Sequence, residues 1–167
     1  IVDSLVGSEM CIRDSSSGVA VTPSWKIPSA LPITTTPNYT TALNFDSASS
    51  NYIDTGNDVS LKPTSAYSLS GWFKLNNLTG TKTIISNDNN NGYLLLVSGS
   101  TLVAYHWDSA FRTINSNTTL LADTWYHFAI TWDSSNTTGT LYINGQYDNQ
   151  STIFGQITYI ASNPVYI

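Results

Sequence analysis

The sequence predicts an all-β fold, antiparallel sheets packed face to face as a β-sandwich. Three observations carry that expectation. From residue 42 onward, apolar and polar residues alternate in short runs; turn signals separate those runs at the spacing of about 8–12 residues expected of a sandwich; and no stretch carries the 3.6-residue periodicity of an amphipathic helix.

The alternating region is preceded by two segments of different character. Residues 1–15 hold the only Glu, Met and Cys of the chain. The string "SLVGSEMCIRDS" within them resembles a translated adapter sequence, so the segment is read as a non-native leader without a structural role. Residues 16–41 contain most of the prolines, with Ser and Thr between them. Proline removes a backbone donor and fixes φ, so neither helix nor ladder propagates there and the segment reads as an extended linker.

The predicted strands follow in order: "ALNF" (42–45), "NYIDT" (51–55), "AYSLSGWFKL" (66–75), "KTIIS" (82–86), "GYLLLV" (92–97), "TLVAYHW" (101–107), "FRTIN" (111–115), "TWYHFAITW" (124–132), "GTLYIN" (139–144) and "QYDNQST" (146–152). Asn144-Gly145 joins the last two; both residues tolerate positive φ, which makes the pair a strong two-residue hairpin signal. "SGS" at 98–100 closes another hairpin, and "NDNNNG" at 87–92 is a longer polar loop.

Because successive strand side chains point to opposite faces, parity assigns the core. Tyr67, Leu69, Gly71, Phe73 and Leu75 face inward, as do Tyr126, Phe128, Ile130 and Trp132, and Leu141 and Ile143. In the hairpin 92–107 both parities are apolar. Placing Tyr93, Leu95, Val97, Leu102, Ala104 and His106 in the core leaves Leu94, Leu96, Val103, Tyr105 and Trp107 outside, more apolar surface than a sheet in water needs.

Composition narrows the function. Only 10% of residues are charged and the formal net charge is -5, which argues against a basic nucleic-acid footprint or an electrostatic membrane anchor. No apolar run approaches the roughly 20 residues of a membrane-spanning helix. A single Cys, in the leader, leaves nothing to pair, so the fold holds without disulfides.

In order and spacing, "ALNFDSASSNYIDTG", "YSLSGWFKL", "GYLLLVSGSTLVAY" and "DTWYHFAITWDSSNTTGTLYINGQ" resemble the LamG-like jellyroll domains of the concanavalin A-like laminin G superfamily. The most specific part is "TWYHFAITWD" followed by "GTLYINGQ". The resemblance covers residues 42–167 and implies a module that binds glycans or proteins and, in some members, Ca²⁺. Such domains usually end in a strand with a Gly-x-Ile-Asp-Glu-Val-like signature beside the first strand. This chain reaches "SNPVYI" without it, so "ALNF" is expected to lack its neighbour and the domain to be incomplete at its C-terminus.

No constellation for catalysis emerges. A glycosidase needs two suitably spaced carboxylates, but Glu9 lies in the leader and every Asp after residue 42 falls at a strand end or turn, where Asp bonds its own backbone. His106 and His127 are too few and too isolated for a Ser-His-Asp set or a zinc site. Asp46 matches the family position after the first strand and is the candidate Ca²⁺ ligand; its other reading is a turn cap. The five Asn-x-Ser/Thr triplets are expected by chance in a chain this rich in those residues.

Trp72, Tyr105, Trp107 and Tyr142 fall on the solvent parity of their strands. Aromatic rings stack on sugar rings while nearby polar groups bond hydroxyls, so these four are the candidate ligand-binding residues of a shallow platform. The other reading is that they merely cover the sheet. The expected function is a non-catalytic recognition or adhesion module of a larger secreted, cell-surface or virion-surface protein, with a glycan or extracellular protein as ligand. The alternatives are an oligomerising structural domain of a phage tail fibre or repetitive adhesin, and an accessory module of a polysaccharide-degrading enzyme.

Overall fold

The computed structural model describes residues 42–45, 49–87, 91–152 and 154–167. Asp46 lies outside them. Eight strands form two four-stranded antiparallel sheets. The first sheet holds β1 (Ala66–Lys74), β6 (Trp125–Asp133), β7 (Thr138–Ile143) and β8 (Gln146–Ser151), in the order β1-β6-β7-β8. The second holds β2 (Thr81–Ser86), β3 (Tyr93–Ser98), β4 (Thr101–Trp107) and β5 (Phe111–Asn115), in sequence order. The chain thus lays down one edge of the first sheet, builds the second as a meander, and returns to complete the first.

Turn chemistry sets the register. Asn144 and Gly145 adopt φ of 52° and 76°, so Ile143 pairs with Gln146 across a two-residue loop, the geometry whose twist matches the flanking strands. In the β3–β4 hairpin Gly99 takes φ of 58° and Ser98 pairs with Thr101.

The core has the predicted parity. Leu95, Val97 and Leu102 from the second sheet and Leu141 from the first are fully buried. They meet Phe73, Tyr126, Phe128, Ile130, Trp132 and Ile143 across the inter-sheet space. Truncating one such Leu to Ala costs about 2–5 kcal/mol. Loop residues Leu120, Phe154, Ile157 and Val165 close the ends of this core. Two inward-facing glycines make room for rings: a Cβ on Gly71 would sit 3.1 Å from Phe128, and one on Gly139 only 2.0 Å from Phe154.

Two predicted strands differ. Ala42–Phe45 lie in no strand and are exposed, Leu43 to 74%, because no ladder partner meets them among the described residues. "NYIDT" contributes one bridge, Asp54 to Tyr166, and Tyr166 also bridges to Ser86 at the end of β2. Val165–Ile167 therefore run between residues 53–56 and β2, held by Ile53 N–H to Ile167 O (2.7 Å), Val165 N–H to Gly56 O (2.9 Å) and Ser86 N–H to Tyr166 O (2.9 Å).

Candidate functional site

The four candidate aromatics do not share one platform. Trp72 on β1 and Tyr142 on β7 face outward from the first sheet, whereas Tyr105 and Trp107 on β4 face outward from the second. Parity places a residue outside its own sheet but does not say which sheet, and here it divides the set into two pairs on opposite surfaces.

The centre of the second sheet's outer face is apolar and closed. Leu96 and Val103, of outward parity, are only 9% and 7% exposed. Phe111 packs edge-on against Trp107 (4.7 Å between ring centroids) and Tyr105 (5.6 Å). At the β5 edge Thr113 stands opposite Tyr105 and Asn115 opposite Val103, both exposed.

The first sheet's outer face combines rings with polar groups. Trp72 stands opposite His127 of β6, with centroids 5.2 Å apart in an edge-on arrangement. Tyr142 stands opposite Ala129 on one side and Tyr147 of β8 on the other, 6.4 Å from the latter ring. Tyr147 is 58% exposed. Lys74 extends its ammonium over the Trp125 ring, 5.7 Å from the centroid. Between and beyond these rings lie Ser68, Ser70, Thr131 and Thr140.

His127 is fixed from both sides. Its backbone N–H donates to Asn144 Oδ1 (2.9 Å), and its carbonyl accepts from Asn144 N–H (2.8 Å). Burial lowers the imidazole pKa and keeps the ring neutral. Its Nδ1 is buried with no hydrogen-bond partner among the described residues, an omission that costs about 1–3 kcal/mol.

At the far end of β1, β6 and β7 the same face sinks into an open cleft of about 450 Å³, lined by Ser68, Thr131, Asp133, Asn136, Thr138 and Thr140 among others. Asp133 Oδ1 accepts from Ser135 N–H (2.8 Å), and that backbone hydrogen bond holds its pKa below the usual carboxylate value. Asn136 Oδ1 accepts from Thr138 N–H (2.9 Å), which leaves its Nδ2 amide unengaged among the described residues.

Sequence reasoning missed Tyr147, Trp125 and His127 as companions of Trp72 and Tyr142. The signal for Tyr147 was present: a two-residue loop at Asn144-Gly145 pairs 143 with 146 and therefore 142 with 147. One carboxylate also departs from expectation. Asp148 lies inside β8, where the register slips between Leu141 and Tyr142, and a bulge frees it to re-aim. It accepts from the N–H groups of Asn117 (2.7 Å) and Thr118 (3.0 Å), tying the β5–β6 loop to the first sheet.

The remaining titratable groups are structural. His106 is 1% exposed in the core; its Nε2 lies 3.0 Å from Gly155 O and its Nδ1 3.4 Å from Tyr67 Oη. The Gly155 carbonyl can only accept, so Nε2 carries the proton and Nδ1 faces the tyrosine hydroxyl. Asp108 receives Arg112 Nε at 2.9 Å and Gly155 N–H at 2.6 Å. Burial alone would raise its pKa, but these donors outweigh it and the net shift is downward. Among the described residues no group of three or more His, Cys, Asp or Glu side chains gathers as a metal site, and no helix is long and apolar enough to cross a membrane.

This architecture has relatives. Residues 46–167 match the laminin G profile described as the concanavalin A-like lectin/glucanases superfamily, and the chain belongs to that family. No curated protein matches the chain. Among solved structures it is similar to the Ruminococcus gnavus IT-sialidase CBM40 bound to α2,3 sialyllactose (TM-score 0.55, 11% identity, 68% of this chain and 73% of that one). It is also similar to the receptor binding domain of botulinum neurotoxin mosaic serotype C/D (TM-score 0.55, 18% identity, 70% and 31%). A third is a candidate carbohydrate binding protein from Bacteroides ovatus ATCC 8483 (TM-score 0.53, 18% identity, 62% and 31%). The chain spans about a third of the length of the last two. At these identities the likeness establishes the fold.

Proposed function

We propose that the protein is a non-catalytic glycan-binding module of an extracellular protein, and that its ligand lies on the outer face of the first sheet. The observation that carries this reading is the coincidence on one surface of partly exposed rings, Trp72, Tyr142 and Tyr147, with hydroxyl and amide side chains. Apolar ring faces stack on pyranose rings, and the polar groups select hydroxyl orientation. On the opposite face the centre is closed, with Leu96 and Val103 each under a tenth exposed, which leaves less open surface beside its rings. Fold-level analogy agrees, since the three similar structures are each described by binding carbohydrate or a receptor. Catalysis of glycan cleavage finds no support in the face, where Asp133 has no second carboxylate beside it at the spacing hydrolysis requires.

Calorimetry with glycans selected on an array tests the proposal. Tyr142→Ala and Tyr147→Ala should each weaken binding about fivefold to 150-fold, by about 1–3 kcal/mol per stacked ring if stacking on sugars resembles stacking on bases. The melting curves should change little, because both rings stand outside the core. Unchanged affinity in both variants would remove the site from this face.

A further inference from the structure

We infer that the ligand is a neutral, linear oligosaccharide chain of several units lying along β6, and not a single terminal sugar; this rests on the glycan-binding reading. The aromatic row and the polar cleft are two parts of one surface on the same strands. The Trp72–His127 pair and the Ser68–Thr131 pair are four residues apart along β1 and β6, about 13 Å at the rise of a strand. That distance exceeds one pyranose ring. Tyr142, opposite Ala129, lies midway between the two pairs along β6, so contacts continue without a gap from rings to hydroxyls.

The chemistry changes along that path. At one end ring faces dominate; at the other the cleft presents Thr131 and Thr140, whose hydroxyls make no hydrogen bond among the described residues, together with the Asn136 amide. A chain stacked at the first end would place the hydroxyls of a later unit in the cleft. Charge is balanced: Lys74 at the ring end is engaged by Trp125, and Asp133 at the cleft end is the only carboxylate lining it among the described residues. Neither a cationic nor an anionic polymer is favoured, which leaves neutral chains. A site for one terminal unit would need neither the length nor the second polar region.

Size ladders of neutral oligosaccharides of the malto-, cello-, manno- and xylo-series, titrated into the full chain, test this. For at least one series the affinity should climb about tenfold to a hundredfold from the shortest binder to the chain that reaches the cleft, as two or three added hydrogen bonds would give. Thr131→Val combined with Thr140→Val keeps the β-branched shape; it should erase that gain while leaving the shortest ligand's affinity intact. Affinity independent of length, with Tyr142→Ala still abolishing binding, overturns this inference and leaves the glycan-binding face standing. Absence of binding in every series, while a charged glycan binds and is lost in Tyr142→Ala, also overturns it. Glycan binding indifferent to Tyr142→Ala removes the face itself and the inference with it.

Discussion

The ring of His106 stacks on that of Phe154, with centroids 5.0 Å apart and planes 10° from parallel. The contact fastens the 154–160 segment to β4, and Gly155 next to it is gripped through both backbone groups by His106 and Asp108.

A pH dependence follows. Desolvation lowers the folded-state pKa of His106 below its ordinary 6.5, partly offset by the Gly155 carbonyl. His127 shifts the same way through burial. Both rings are neutral when folded and take up protons more readily when unfolded. Their stabilisation is fully present above about pH 6.5 and is lost as pH falls below that value toward the folded pKa. Melting temperature should therefore drop between pH 7 and pH 5, and an apolar aromatic substitution, His106→Phe, should flatten part of that slope. A slope unchanged in His106→Phe would place the titration elsewhere.

The Asp108 carboxylate organises the same corner. Its side chain is 4% exposed and binds Arg112 and Gly155 N–H. Replacing it by Ala leaves these donors unpaired and should cost about 1.5–3 kcal/mol, the range for hydrogen bonds to a charged group. Denaturant unfolding measures it. A loss under about 0.5 kcal/mol, as for an ordinary surface change, would contradict the clamp.

Gly139 is needed for lack of a side chain. Its Cβ would fall 2.0 Å from Cε2 of Phe154 and 3.0 Å from Ile114. Gly139→Ala should destabilise by about 1–3 kcal/mol through overpacking, and pairing it with Phe154→Leu should recover part of the loss. A neutral Gly139→Ala would show that Phe154 does not occupy this space in solution.

Metal removal separates two regions. The proposed face relies on rings, hydroxyls and one amide, so EDTA should leave its glycan affinity unchanged. A ligand gripped through Ca²⁺ at Asp46 would be released by EDTA and restored by Ca²⁺, and Asp46→Ala would mimic chelation.

Strand positions and much of the burial parity were readable because β1 and β6 alternate along most of their length and turns such as Gly99 and Asn144-Gly145 carry residues suited to positive φ. Eight of the ten predicted runs appear as strands with bounds within one residue. "ALNF" and "NYIDT" misled because a short alternating run needs a partner to become a ladder, and partners are a long-range property. The same limit governs the site. Parity marked Trp72, Tyr105, Trp107 and Tyr142 as outward, but which sheet each strand joins depends on the β1–β6 pairing, which joins residues as far apart in sequence as Leu69 and Ile130.

The central claim is that the rings of the first sheet, and not those of the second, hold the ligand. Glycan-array binding of the unmodified chain, of Trp72→Ala with Tyr142→Ala, and of Tyr105→Ala with Trp107→Ala tests it most directly. The account predicts loss of signal in the first double variant and retention in the second, with both remaining folded by circular dichroism. Retention in the first and loss in the second would contradict it.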